Sequence, residues 1–175
     1  MDKIIQNAEN IDLSLEDIKI ITNNGCEVVV YHNLDQYNSI EQLLGEKGAV
    51  ILLFETKKNF GHWTAIFYQD ENRNSIEFFD SYGFAPDAEL NYAKYDNTPY
   101  LTQLLEKSKL PMIYNTKKLQ VFAHEINTCG RWTSLRVVFR NIPLHDFQRL
   151  FQRNKYYNGD FFVSALTYLF TMDKS

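Results

Sequence analysis

The sequence predicts one domain of mixed strands and helices, and three observations predict it. With 175 residues and 45% apolar content, the chain suits one sizeable core and is too short for two. Short apolar runs of strand length fill the stretch from Glu27 to Asp80. From Arg131 onward the apolar residues Trp132, Leu135, Val138, Phe139 and Ile142 recur at helical spacing instead. Aromatic residues reach 15%, with 13 Phe and 11 Tyr, which marks a packed chain over residues 1–175 and not a disordered one.

Taken in order, Ser14-Leu-Glu-Asp17 reads as a capped start for a short helix reaching Ile21, and Asn23-Asn24-Gly25 supplies its stop. Glu27 to Tyr31 is a strand. Ser39 caps a second short helix ending at Gly45. The continuous apolar run from Gly48 to Phe54 is a central strand. Gly61–Tyr68 and Ser75–Asp80 then form a hairpin around a polar loop. Centred near Asn72, the hairpin sets position 64 opposite 80 and 62 opposite 82, so His62 and Asp80 share a face as diagonal neighbours roughly 7 to 8 Å apart at the backbone. A slip of one residue would separate them.

Ser81-Tyr-Gly83 turns the chain, and Pro86 to Leu90 begins a surface segment. Thr98-Pro99 predicts an N-cap and first helical position for a helix to about Lys107. Met112 to Phe122 is extended and delivers Gln120 toward Cys129. The helix that starts at Cys129 is followed by two more, Leu144 to Arg153 and Phe161 to Met172.

Composition excludes several classes. Cys26 and Cys129 are the two cysteines, far apart and in no CxxC pattern, against both a disulfide framework and a zinc site and in favour of a reducing compartment. His32, His62, His124 and His145 show no metal-ligand spacing, so no metal or cofactor is expected. The N-terminal stretch has no signal-peptide core, and the longest fully apolar run, Ala49 to Phe54, is far too short for a membrane span. The expectation is therefore a protein that is neither secreted nor membrane-bound. The net charge of −4 hides an asymmetry: residues 1–106 carry 7 Lys/Arg against 18 Asp/Glu, residues 107–175 carry 11 against 4. Arg136 with Arg140 and Arg149 with Arg153 are i, i+4 pairs that would sit on helix faces as a footprint for a polyanion such as nucleic acid. Solvated helix faces are the plainer reading of the same charges.

The chemistry centres on Cys129. A thiol at a helix start meets the positive end of the helix and free backbone N–H groups, which favour an anionic nucleophile and can hold an oxyanion. Gly130, without a Cβ, would let a substrate backbone approach. A cysteine nucleophile also needs a base, a group to orient the base and an oxyanion donor, and His62, Asp80 and Gln120 fill those roles. Singly, each has an ordinary structural explanation: a strand histidine, a turn carboxylate, a solvated glutamine, a buried cysteine. Their joint order favours the chemical one.

Gly61-His62-Trp63, Phe79-Asp80-Ser81-Tyr82-Gly83-Phe84, Gln120 and Thr128-Cys129-Gly130 together resemble the adenoviral maturation protease and the wider superfamily of ubiquitin-like-protein proteases. The resemblance spans residues 48 to 142. It implies a papain-like α+β fold, rearranged in chain order, with a central mixed β-sheet flanked by helices. It also implies His62 as general base, Asp80 as its orienting acid, Cys129 as nucleophile and Gln120 as oxyanion donor. The family's glutamine lies nearer its cysteine, so either a loop is inserted within Val121 to Ile126 or Asn127 or His124 donates instead. The implied function is a cysteine endopeptidase of a virus or virus-like element that processes capsid precursors, with small residues at the cleavage site and activation by nucleic acid or a peptide. It would act in the host cytoplasm or nucleus and be packaged in the virion. Alternatives are an isopeptidase releasing ubiquitin-like modifiers, an acetyltransferase with the same triad order, and a non-catalytic binding module.

Overall fold

Period-two alternation along the central strands builds two cores, one on each face of a mixed sheet. The computed structural model describes residues 1–58, 60–92, 97–152 and 156–171. Its strands are β1 (Glu27–Val30), β2 (Ala49–Lys57), β3 (Phe60–Tyr68), β4 (Ile76–Phe79) and β5 (Met112–Tyr114), in that spatial order. The inner pairs β2–β3 and β3–β4 are antiparallel, and β1 and β5 add parallel strands at the two edges. Seven α-helices are present among the described residues: α1 (Asp2–Glu9), α2 (Leu15–Ile21), α3 (Ile40–Leu44), α4 (Tyr100–Ser108), α5 (Cys129–Val138), α6 (Leu144–Leu150) and α7 (Gly159–Thr171). The class is α+β, a five-stranded mixed sheet flanked by helices.

Odd-numbered positions of β2 and β3, including Ile51, Leu53, Trp63, Ala65 and Phe67, pack with Trp132 and Leu135 of α5, Phe147 of α6 and Val163 of α7. Even-numbered positions, including Val50, Leu52, Ile66 and Tyr68, pack with α3, α4 and a 3-10 turn at Tyr31–Gln36. Each fully buried Leu, Ile or Phe side chain stabilises by roughly 1.5 to 3 kcal/mol, and both faces contribute such residues. α1 lies outside this sandwich, against α7.

The capped helices follow the sequence. Ser14 and Asp17 form a reciprocal capping box on α2, and the Ser39 hydroxyl accepts from the Gln42 amide on α3. Asn23 and Asn24 both take positive φ at the stop after α2. The hairpin register pairs Ala65 with Phe79 and Tyr68 with Ile76, which carries on to Thr64 opposite Asp80 as expected.

Other expectations need correction. Thr98 does not cap α4: Pro99 occupies the cap position, and Asp87 Oδ2 accepts from the Thr102 amide at 2.8 Å from a distant loop. The extended stretch ends at Tyr114 and not at Phe122, because the Asn115 side chain takes over the backbone, donating to Asp80 O at 2.7 Å and Lys117 O at 2.8 Å. α1 and the 3-10 turn carry no sequence signal recognised above. α6 ends at Leu150; the expected helix end and charge at Arg153, and the expected helix end at Met172, lie outside the described residues.

One residue of the polyanion footprint, Arg136, is also corrected, while Arg149 is exposed as expected. Arg136 is 1% exposed and makes a two-point ion pair with Glu77 of β4, at 2.7 and 2.9 Å. Its plane lies between the rings of Phe67 and Phe147, and it also donates to Phe139 O and Ile142 O. A guanidinium engaged on every side is a core strut joining α5 to the sheet and not a contact for phosphate. No helix among the described residues is long and apolar enough to cross a membrane.

Candidate active site

The start of β3 and the end of β4 meet at one end of the sheet and supply the first half of the site. His62 stands near the start of β3, and Asp80 follows the last residue of β4. The backbone before His62 is set by a register shift between Glu55 and Lys57 of β2, where Gly61 lies so close that an added Cβ would fall 1.9 Å from Phe54 O. Beyond Asp80 the chain turns at Gly83, whose φ of +80° suits glycine. The turn aims the Tyr82 amide at Asp80 Oδ1, at 2.6 Å, and stacks the Tyr82 ring on His62 with centroids 5.0 Å apart.

Asp80 is fully buried, and its Oδ2 lies 2.9 Å from His62 Nε2. A carboxylate only accepts, so Nε2 carries the hydrogen and Nδ1 is the ring nitrogen left for another partner. Cys129 lines the same cleft as His62, and its influence on the ring favours the imidazolium, as a sulfur facing that side of the ring does. Burial, the largest influence on His62, disfavours the imidazolium; the bonds and charges of Asp80 and Cys129 outweigh it and hold the ring well above the ordinary histidine range. The His62 side chain is 11% exposed and Cys129 is 8% exposed, enough for a small molecule to reach them from the cleft.

Cys129 opens α5, whose first N–H groups have no acceptor within the helix. The helix is clamped to β3 by the Thr133 hydroxyl, which donates to Trp63 O at 3.0 Å. Gly130 plays a different part from the one expected. A Cβ there would meet Trp63 Cδ1 at 3.1 Å and Leu13 Cβ at 3.3 Å, so glycine serves close packing of the helix inside the protein and not approach of a substrate.

Gln120 is 1% exposed and lines the same cleft. Its Oε1 accepts from the Ser81 hydroxyl at 2.7 Å, and its Nε2 donates to Ile126 O at 3.2 Å, which uses one of two N–H groups. That second bond closes an exposed excursion, residues 121–125. Of the alternatives, Asn127 lines the cleft too and His124 does not. The Asn127 side chain donates to Asn10 O at 3.1 Å, and His124 is exposed on the loop. The cleft, about 470 Å³, is lined by His62, Cys129, Gln120, Asn127 and the rings of Tyr82, Phe84 and Phe122.

Two carboxylates of this region escape sequence reasoning. Glu89, in a 3-10 turn at Ala88–Tyr92, brings Oε1 to 3.7 Å from His62 Nε2, and this oxygen is buried without a hydrogen-bond partner. Burial pushes its carboxyl up, His62 pulls it down and Asp80 adds to the rise. His62, Asp80 and Glu89 each bring one ligand atom within 4.8 Å of the others, the grouping among the described residues that comes nearest to a cation site. Neither residue spacing nor composition reveals it, since the turn that delivers Glu89 has no periodic signal. Asp160 is the second: it is fully buried at the start of α7 and accepts from Thr128 Oγ1, from Trp132 Nε1 at 2.8 Å and from the Val121 amide at 2.8 Å. Burial raises its carboxyl while those three bonds lower it. In the sequence it marks only a helix start. The hint was that Asn158 already caps α7, accepting from Phe161 N at 3.0 Å, which leaves Asp160 available for other work.

No protein-family model matches the chain. The chain is 41% identical over 154 residues to "Uncharacterized protein V9" of the Sputnik virophage, an alignment covering 84% of this chain and 87% of that protein. Identity of that extent over nearly the whole of both chains places this protein in the viral family of the Sputnik virophage protein V9.

Proposed function

We propose that the chain is a viral cysteine endopeptidase with a papain-like arrangement, similar to the adenoviral maturation protease, and that it processes virion precursor proteins. One observation carries the reading: His62, bonded to Asp80 at 2.9 Å from Nε2, shares one cleft with Cys129 at the start of a helix and with Gln120. A structural histidine needs one partner, whereas this one has an acid on one nitrogen and shares its cleft with a thiol.

In the reaction, Cys129 sulfur attacks the peptide carbonyl while His62 holds the thiol proton as imidazolium, fixed in place by Asp80. The carbonyl oxygen becomes an oxyanion, which accepts from the free N–H of Gln120 Nε2 and from the Cys129 amide. His62 then gives its proton to the leaving amine, the C–N bond breaks, and a thioester joins the acyl group to Cys129. Water attacks the thioester with His62 taking its proton, and the acid product leaves with the thiol restored. The protein works within the infected host cell and in the virion, where capsid precursors are its substrates.

The reading is tested by co-expressing the chain with the capsid and scaffold proteins of the virophage that carries it, alongside Cys129→Ala. Cleavage of a virion protein by wild type that is absent with Cys129→Ala is expected. If no virion protein is cut while wild type releases the fluorophore from a ubiquitin C-terminal amide, deconjugation replaces it. Processing that persists in Cys129→Ala overturns the assignment of the nucleophile.

A further inference from the structure

Gln120 and Cys129 reach the cleft on separate segments, and of the eight residues between them the first five, 121–125, are all exposed. Such a loop cannot set a distance between its ends. The Ser81 hydroxyl orients the Gln120 amide, but it does not touch α5. The Gln120 side chain reaches only Ile126 O, three residues short of Cys129, whereas the Asp160 carboxylate binds the immediate neighbours of both residues: Oδ2 takes the amide of Val121, next to Gln120, and Oδ1 takes the hydroxyl of Thr128, next to Cys129. It also holds Trp132, one turn further along α5.

We infer that Asp160 is the positioning residue of the oxyanion hole, fixing the segment that carries Gln120 against the helix start that carries Cys129. The inference rests on the reading of Cys129 as nucleophile and Gln120 as oxyanion donor. Three donors converge on Asp160, and an ionised carboxylate accepts all of them, whereas an asparagine in its place turns an NH2 toward one of those donors. The segment it repels moves, and with it one side of the hole. His62 and Asp80 have no bond to Asp160, so the thiol's partner is untouched.

The experiment separates oxyanion stabilisation from thiol activation. Iodoacetamide alkylates Cys129 by displacement of iodide, forming an S–C bond without an oxyanion. p-Nitrophenyl acetate acylates it through a tetrahedral oxyanion, forming a thioester and releasing p-nitrophenolate. Both rates are measured on wild type, Asp160→Asn, Thr128→Val and, as reference, Gln120→Ala, with thermal melting to confirm folding. Asp160→Asn is expected to slow acylation by on the order of 10²-fold, as misplacement of a donor by an ångström does, with alkylation within about twofold of wild type. Thr128→Val, which deletes a single bond and keeps the shape of the side chain, is expected to slow acylation by about tenfold, and it decides the matter if Asp160→Asn does not fold. Acylation and alkylation falling together, or neither changing, overturns the positioning role. A wild-type Cys129 no more reactive than free cysteine toward both reagents removes the nucleophile reading itself.

Discussion

The two halves of the candidate active site are held by different means. His62 and Asp80 stand on adjacent strands whose register is fixed by ladder bonds, by the tight contact at Gly61 and by a core on each face. Cys129 and Gln120 stand on a helix start and an irregular segment joined through side chains: Asp160, Ser81 and the Gln120–Ile126 bond. The first half is a product of backbone geometry and tolerates little adjustment. The second depends on a few buried polar groups, so a single side chain can shift its geometry without unfolding the sheet.

The largest expected effect breaks the first half. His62→Ala removes the proton acceptor and the imidazolium partner together, and peptide cleavage is expected to fall by roughly 10⁴-fold, with loss of the fast alkylation of Cys129 below pH 7. Mass spectrometry of iodoacetamide-treated protein reads the second effect, with Cys26 as internal reference. Alkylation that is indifferent to His62 would dissolve the pair. Gln120→Ala, in the second half, is expected to be milder and selective. It should lower peptide cleavage by roughly 10² to 10³-fold and leave alkylation unchanged. Near wild-type turnover by Gln120→Ala would move the oxyanion donor elsewhere.

The same contrast explains how much was legible in the sequence. Elements specified within a few residues were readable: the Ser14 and Ser39 caps, the hairpin centred near Asn72, and the helix opening at Cys129. The register alone was enough to set His62 and Asp80 on one face. What depended on distant partners was not readable. α1 has no side-chain cap and is held by α7 and by Arg131, whose Nη2 donates to Ala8 O at 3.0 Å. The Arg136 charge looked available because its partner Glu77 lies 59 residues away in β4. Glu89 and Asp160 belong to the same class: each acts across a fold that had to form before its neighbours existed.

The smallest expected effect tests the first half through stability. His62 titrates well above its ordinary range in the native protein, because Asp80 and Cys129 together outweigh the cost of burial, while in the unfolded chain it titrates near about 6.5. A native pKa above the unfolded one means that the native state binds the proton more tightly. Its stabilisation is therefore fully present below about pH 6.5 and is lost as pH rises through the raised native value. Asp80→Asn replaces the carboxylate charge facing Nε2 with a neutral amide and should shrink that stabilisation, so urea unfolding of wild type and Asp80→Asn between pH 6 and 10 should give a stability difference that narrows with rising pH. One proton limits the slope to about 1.4 kcal/mol per pH unit. A difference that stays flat across the range would mean that Asp80 does not hold the imidazolium, and that the bond between them is a neutral one.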